Sequence, residues 1–209
     1  GVVTVVFDAA GRSVNVWDEA LFGELEAILD SLEQDAGTQG VVFRSNKASG
    51  FFAGADLFWI ERLREPEEAE SLLLTGQRLF ERVARLRLPT VAAIHGVCLG
   101  GGLEFALACR YRIARDDPGT KLGLPETRVG LIPGWGGTQR LPRMIGVGRA
   151  IRMIVGGNHV DARTAQRYGL VDAVVAADEF DAATMEFVTR KREGAHGGGE
   201  SPGGYTSAA

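Results

Sequence analysis

The pattern of apolar and polar positions predicts alternating strands and helices. β-Branched runs at 2–7 and 41–43 indicate strands. Between them, apolar residues recur at helical spacing: Leu21, Phe22, Leu25, Ile28, Leu29 and Leu32. Asp18 precedes this stretch and is a candidate N-cap. A strand, a helix and a strand in this order predict a β-α-β unit with parallel pairing, so the fold class is α/β.

The centre of the chain is its most apolar part. Residues 88–97 predict one buried strand, which leads into a run of glycines at 100–102. The helical segment 103–108 is apolar almost all round and should be buried. A glycine turn at a helix start leaves peptide N–H groups unpaired at the positive end of the dipole. Such a turn suits an oxygen that carries or develops negative charge.

The remaining elements follow from the same periodicities. Residues 61–86 predict two helices, of which the second begins at Pro66. Further helices are expected over 149–155, 162–168 and 178–192. Strands are expected at 111–114 and 170–175. Glycine and proline dominate 130–143, which predicts an irregular loop.

Composition favours one domain. The chain has 209 residues, of which 45% are hydrophobic, enough for one substantial core over residues 1–193. Residues 194–209 are rich in glycine and serine without an apolar period, which predicts a flexible tail.

Charge and cysteine usage exclude several classes. A formal net charge of −4 argues against a general nucleic-acid or membrane-surface binder. Neither a membrane span nor a signal-peptide pattern is visible, so a cytoplasmic protein is expected. Cys98 and Cys109 lie in apolar sequence and predict buried thiols. The three histidines are scattered, so no metal site is expected.

Glu104 directly follows the central glycines. The turn is not a phosphate-binding loop, because Gly102 and Leu103 stand where lysine and a hydroxyl residue would be needed. The dinucleotide fingerprint fails as well, because Phe105 occupies its last glycine position. Taken alone, Glu104 is as well explained by complementing the helix dipole as by catalysis.

Four segments in one order carry a more specific signal. They are Ala53-Gly-Ala-Asp56, Gly96-Val-Cys-Leu-Gly-Gly-Gly-Leu-Glu104, Gly123-Leu-Pro-Glu126 and Pro133-Gly-Trp-Gly-Gly-Thr-Gln-Arg140. Together they resemble the crotonase superfamily of enoyl-CoA hydratases and isomerases. The sequences of these segments are most similar to the hydratase region of multifunctional fatty-acid oxidation enzymes, and the resemblance covers about residues 2–175.

The resemblance implies a crotonase-like ββα spiral, in which two roughly perpendicular sheets are wrapped by helices. It also implies an acyl-CoA substrate, no cofactor beyond that coenzyme A thioester, and assembly as a homotrimer or hexamer. In this family the thioester oxygen is held by two peptide N–H groups, which match Ala55 and Gly101. Donors fixed in advance for a developing oxyanion need no particular side chain.

The resemblance also implies two catalytic carboxyls. Glu104 matches the group that activates water, and Glu126 matches the acid that protonates the α-carbon. The Gly134 peptide is similar to one that holds the water. Residues that match the substrate groove are Val14, Ala53, Asp56, Leu57, Gly100 and Pro125. Without the resemblance, Glu126 is explained by a loop acid and Asp56 by a helix cap.

Two carboxyls beside one apolar pocket repel each other, so at least one pKa should be raised. Arg140 and Arg143 could meet coenzyme A phosphates, but we expect a structural or subunit-contact role for them.

The leading prediction is an enoyl-CoA hydratase, a lyase that adds water to a trans-2-enoyl-CoA to give a 3-hydroxyacyl-CoA, as in fatty-acid β-oxidation. A Δ3,Δ2-enoyl-CoA isomerase is the first alternative, and Glu104 argues against it because dedicated isomerases of the family usually lack that acid. A non-catalytic acyl-CoA-binding or assembly module is the second. The reason for this second alternative is that family members commonly continue with further C-terminal helices where this chain has residues 194–209.

Overall fold

The computed structural model describes residues 1–195. The nine strands among them are β1 (Val2–Phe7), β2 (Gly40–Ser45), β3 (Gly50–Phe52), β4 (Thr90–Ile94), β5 (Val97–Leu99), β6 (Tyr111–Arg115), β7 (Lys121–Gly123), β8 (His159–Asp161) and β9 (Ala173–Val175). The helices there are α1 (Glu19–Gln34), α2 (Leu57–Ile60), α3 (Pro66–Arg85), α4 (Gly101–Ala108), α5 (Gly137–Ile145), α6 (Val147–Ile154), α7 (Ala162–Tyr168) and α8 (Phe180–Ala195). A 3-10 turn spans Glu126–Val129.

The strands form two sheets. The first has the order β1-β2-β4-β6-β9 and all its pairs are parallel, with Val3 opposite Val41 and Val42 opposite Val91. The second has the order β3-β5-β7-β8, in which β8 alone is antiparallel to its neighbour. The helix between β1 and β2 begins where predicted, because the Asp18 carboxylate accepts the Leu21 N–H.

Successive strands alternate between the sheets. In the pairs β2/β3, β4/β5 and β6/β7, the first strand joins the five-stranded sheet and the second joins the four-stranded one. Helices follow each pair and cover the sheets, so the chain forms a spiral of ββα turns. The α/β class and the crotonase-like spiral are therefore confirmed.

The prediction of one strand over 88–97 is wrong. The chain leaves the first sheet after Ile94 and enters the second at Val97. Gly96 makes this break possible, because its φ of +54° is favourable only for glycine and a side chain there would collide with the Ser49 carbonyl. The apolar run is continuous because both halves are buried, although in different sheets.

The irregular loop predicted over 130–143 is wrong in its second half. Residues from Gly137 onward form α5, even though Pro142 lies inside the helix. Glycine and proline argue against a helix locally. Here the buried side chains of Leu141 and Ile145, together with packing against α4 and α6, outweigh that preference.

Helix α4 lies at the centre, as expected. All eight of its residues are buried, and Phe105 packs against a set of aromatic rings: Phe7, Trp17, Phe43, Phe51, Phe52 and Phe80. Cys98 and Cys109 are buried free thiols, as the sequence predicted. The predicted tail 194–209 lies outside the described residues, apart from two positions that end α8.

Candidate active site

The central glycine turn joins β5 to α4. Gly100 is the N-cap of α4 with a φ of +54°, and its N–H donates to the Gly123 carbonyl at 2.9 Å. The bond fixes the turn to strand β7. Gly101 is the first residue of the helix, so its N–H belongs to the set that has no partner within the helix. The turn therefore presents an amide donor at the positive end of α4.

A second amide donor lies at Ala55. Trp17 N–H donates to the Gly54 carbonyl and Asp56 N–H donates to the Trp17 carbonyl, both at 2.9 Å. Because a bridge of this kind uses the groups on either side of Ala55, the Ala55 N–H points away from Trp17. A Cβ built on Gly54 would lie 4.0 Å from the Gly101 nitrogen. The two turns are thus in contact.

Glu126 reaches the same place from the 3-10 turn. A Cβ on Gly100 would lie 3.2 Å from the Glu126 Oε1 atom. Both carboxyl oxygens are buried and neither has a hydrogen-bond partner among residues 1–195. Pro125 precedes Glu126 as the N-cap of the turn.

Glu104 is only 2% exposed and lies in the first turn of α4. Its Oε1 atom accepts the N–H groups of Trp135 and Gly137, each at 2.8 Å. The Gly134 peptide also lies against the carboxyl and lowers its pKa. A carboxylate needs such donors when it is removed from water.

Both carboxyl groups have raised pKa values. Burial raises the pKa of Glu104 to about 7, opposed by the N–H groups of Gly137 and Trp135 and by the nearby Arg140 charge. Burial is also the main reason that the pKa of Glu126 rises to about 7; its own peptide N–H opposes this rise, and repulsion from Glu104 adds to it. The two groups therefore titrate as a pair near neutral pH.

The model of one protein family, Enoyl-CoA hydratase/isomerase, matches residues 1–196. The chain belongs to this family. An enoyl-CoA hydratase from Bacillus anthracis is 38% identical, with a TM-score of 0.84 over 90% of this chain and 72% of that one. DspI from Pseudomonas aeruginosa is 35% identical, with a TM-score of 0.82 over 90% and 70%. An enoyl-CoA hydratase/carnitine racemase from Magnetospirillum magneticum is 25% identical, with a TM-score of 0.84 over 93% and 75%.

Within this crotonase fold, the residues predicted for the substrate groove differ in environment. Ala53 and Leu57 are exposed, with Leu57 at 46%, whereas Val14 is half-buried. Asp56 is buried and accepts the Phe58 N–H and the Arg12 guanidinium, at 2.9 and 2.8 Å. The structure thus gives Asp56 a capping role, one of the two alternatives that the sequence left open.

Sequence reasoning missed Trp135. Its indole ring fills the space between α3 and α4, so that a Cβ on Gly76 or Gly101 would collide with the ring. Its peptide N–H donates to Glu104, and its ring also contacts Phe22 and Phe80. The glycines on both sides of a tryptophan were a signal of close packing, but nothing in the pattern told which elements would pack there.

Two further expectations concern other kinds of site. Among residues 1–195, no group of three or more histidine, cysteine or acidic side chains is placed to hold a metal ion. No helix in this part of the chain has the length and apolar character of a membrane span.

Proposed function

We propose that this chain is an enoyl-CoA hydratase, which adds water across the double bond of a trans-2-enoyl-CoA to give the 3-hydroxyacyl-CoA. One observation carries the proposal: the carboxyl groups of Glu104 and Glu126 both lie beside the glycine turn that begins α4, near enough for the charge of Glu104 to raise the pKa of Glu126. A site with one acid would support proton transfer, whereas hydration needs both a base for water and an acid for carbon.

In the proposed reaction, the thioester carbonyl oxygen accepts the N–H groups of Ala55 and Gly101. Negative charge develops on this oxygen when water attacks the β-carbon. Donors that are already oriented stabilise that charge without reorganising, and losing one such donor costs about 3 to 4 kcal/mol in comparable sites. The contact between the Gly54 and Gly100 turns supports a shared role for these two amides.

The two carboxyls have different roles. Glu104 accepts two peptide N–H bonds, which favour its ionised form, so it acts as the base that removes a proton from water. Glu126 accepts no hydrogen bond from another residue within 1–190, and burial outweighs its own peptide N–H, so its protonated form is favoured. It delivers that proton to the α-carbon while hydroxide adds to the β-carbon. A proton then passes from Glu104 back to Glu126, which restores the pair.

The remaining parts of the proposal follow the same family pattern. The Gly134 peptide would help to place the water, and Val14, Ala53, Leu57, Gly100 and Pro125 would line the acyl-CoA groove. The substrate would bring its own coenzyme A, with no further cofactor or metal. A homotrimer or hexamer in the cytoplasm stays a prediction.

The direct test follows the absorbance of crotonyl-CoA in the presence of the purified chain. We expect the enoyl absorbance to fall with turnover in the wild type and to fall at least about a hundredfold more slowly with Glu104→Gln, which keeps the size and shape of the side chain. A folded wild type that binds coenzyme A esters but leaves the absorbance unchanged contradicts hydration. Calorimetry with the same ester would then support the binding module.

Isomerisation of a Δ3-enoyl-CoA is a second candidate. Glu126 favours it, since a buried carboxyl with a pKa of about 7 and no hydrogen-bond partner within residues 1–195 can both donate and accept a proton. The Glu104→Gln variant separates the two reactions. Loss of hydration with retained isomerisation assigns the shift of the double bond to Glu126 alone.

A further inference from the structure

Arg140 is buried behind the active-site loop. It lies on α5 and is 8% exposed. One guanidinium nitrogen, Nη1, donates to the Trp135 carbonyl at 3.1 Å, and the other, Nη2, pairs with the Glu81 carboxylate of α3 at 2.8 Å. Arg140 therefore connects the loop before α5 to a long helix on the other side.

The loop is shaped to receive this side chain. Gly136 has a φ of +109°, and a Cβ at that position would collide with the Arg140 guanidinium. The Arg140 backbone N–H also donates to the Gly136 carbonyl at 2.8 Å. Arg140 thus holds two successive carbonyls, those of Trp135 and Gly136, one through its side chain and one through its backbone.

The donors to Glu104 belong to the two peptides on either side of the one that the guanidinium holds. The N–H groups of Trp135 and Gly137 converge on one Glu104 oxygen, and the Trp135 ring packs against Gly101. A rotation of the 135–137 peptides would move both donors away from Glu104. The Gly137 N–H shares a planar peptide with the Gly136 carbonyl, which the Arg140 backbone N–H holds, and the Trp135 N–H shares one with the Gly134 carbonyl, which the Gln77 amide holds at 2.8 Å. The guanidinium fixes the 135–136 peptide that links these two, so it restricts the rotation of both donors.

The charged groups around Glu104 are few. Arg140 approaches from α5 and Glu126 from the 3-10 turn, while Glu81 of α3 lies behind Arg140. On the other side of α4, the buried Arg112 of β6 donates to the Ala106 and Cys109 carbonyls, and burial raises the pKa of the Cys98 and Cys109 thiols. Of the two arginines, it is Arg140 whose charge lowers the pKa of Glu104. Arg140 is therefore the cation that favours ionised Glu104.

We propose that Arg140 is a positioning residue, which holds the 135–137 loop so that the Trp135 and Gly137 amides keep Glu104 oriented and ionised for its reaction with water. The inference rests on the proposed hydratase function. Arg140 would not touch the reacting atoms, because its guanidinium bonds the Trp135 carbonyl and Glu81 on the side of the loop that faces away from Glu104.

The test compares Arg140→Met with Arg140→Lys in crotonyl-CoA hydration. For Arg140→Met we expect kcat to fall by about tenfold to a hundredfold with KM nearly unchanged, the cost of a small displacement of catalytic groups. The acid limb of the pH profile should move to higher pH, because Glu104 loses the cation that lowers its pKa. Arg140→Lys keeps the positive charge but lacks the two guanidinium NH₂ groups that bond the Trp135 carbonyl and Glu81. We therefore expect kcat to fall while the acid limb of the pH profile stays in place.

Arg82→Met is the matched control. Arg82 also joins two elements, since it pairs with Asp30 and Glu33 of α1 from its place on α3. Its loss removes three side-chain hydrogen bonds, compared with two for Arg140, but should leave the pH profile of hydration unchanged. An equal shift in this control would show a general loss of rigidity and overturn the proposal.

A readout that does not need turnover separates this inference from the proposed function. With ¹³C-labelled glutamate, the Glu104 carboxyl signal is assigned by its absence in Glu104→Gln, and its titration is followed by NMR. We expect a higher midpoint in Arg140→Met than in the wild type. This shift would support the role of Arg140 even if the wild type failed to hydrate crotonyl-CoA, whereas equal midpoints would contradict it.

Glu81→Gln covers the case in which Arg140→Met does not fold. This variant keeps the Arg140 charge and weakens its anchor on α3, together with the exposed Glu81–Arg85 pair on the same helix. We expect a smaller fall in kcat with an unmoved acid limb. Wild-type kcat in both Glu81→Gln and Arg140→Lys would overturn the proposal.

Discussion

The two acid-bearing regions contrast sharply. Glu104 lies on α4, a helix whose residues are all buried, and its carboxyl accepts two peptide N–H bonds. Glu126 opens a 3-10 turn that has no buried residue, and its carboxyl has no hydrogen-bond partner among the described residues. Yet burial raises the pKa of each group to about 7.

The difference shows how one residue type can supply both a base and an acid. At Glu104 the amides oppose the effect of burial and stabilise the carboxylate. At Glu126 burial outweighs the opposing peptide N–H of the same residue, and the charge of Glu104 adds to the effect of burial, so the protonated form is favoured. The proton of the pair is therefore expected on Glu126. Replacing the two acids tests this assignment, and replacing glycines tests the packing behind α4.

The largest effect is expected from replacing the acids. Glu104→Gln and Glu126→Gln should each lower kcat for hydration by about 10² to 10⁴-fold, the usual range for general acid–base groups. Because both act in one step, the double variant should lose far less than the product of the two factors. Steady-state kinetics on the four proteins measures this, and fully multiplicative losses would show that the groups act independently.

An intermediate effect is expected on stability. A carboxyl whose pKa is raised in the folded state adds stability that is present below its unfolded pKa, near 4.3, and is lost as the pH rises through about 7. Glu126→Gln should therefore resemble the wild type at pH 4 but exceed it by up to about 3 kcal/mol at pH 8. Urea unfolding at both pH values measures the difference.

The comparison with Glu104 sharpens this result. Glu104→Gln should gain less stability at pH 8 than Glu126→Gln does, because it also loses the hydrogen bonds that the peptide N–H groups donate to a charged carboxylate. An equal gain in unfolding free energy for the two variants would contradict the idea that hydrogen-bond donors from other residues stabilise the carboxylate of Glu104 but not that of Glu126.

The smallest effect is expected from the packing behind α4. Gly76→Ala brings a methyl group into the Trp135 ring and should destabilise the fold by about 1 to 3 kcal/mol. The matched control is Gly23→Ala, another helical glycine, with open space around its Cβ position. It should stabilise α1 by about 0.5 to 1 kcal/mol. Thermal melting of both variants measures the effect. Equal changes in melting temperature would contradict the close packing of the Trp135 ring against Gly76.

Local pattern predicted most of the elements. The helical spacing between β1 and β2, the cap at Asp18 and the burial of α4 were all visible, because each depends on neighbours in the sequence. The ββα spiral came from the resemblance carried by the four motifs, since α/β periodicity alone is shared by many folds.

Other features depended on contacts between distant segments. The break at Gly96 is set by Ser49 and Gly50, and helix α5 forms because α4 and α6 pack against it. A local pattern contains neither contact, so it predicted a single strand and an irregular loop there.

By itself, the sequence determined where the acids and the glycine turns stand along the chain, because residue type and spacing are local properties. Only the tertiary structure decided which surroundings they meet: two amides for Glu104, burial of the carboxyl oxygens for Glu126, and Arg140 behind the loop. The protonation of a carboxyl depends on its solvation and on charges within a few ångströms, and these are supplied by segments remote in sequence.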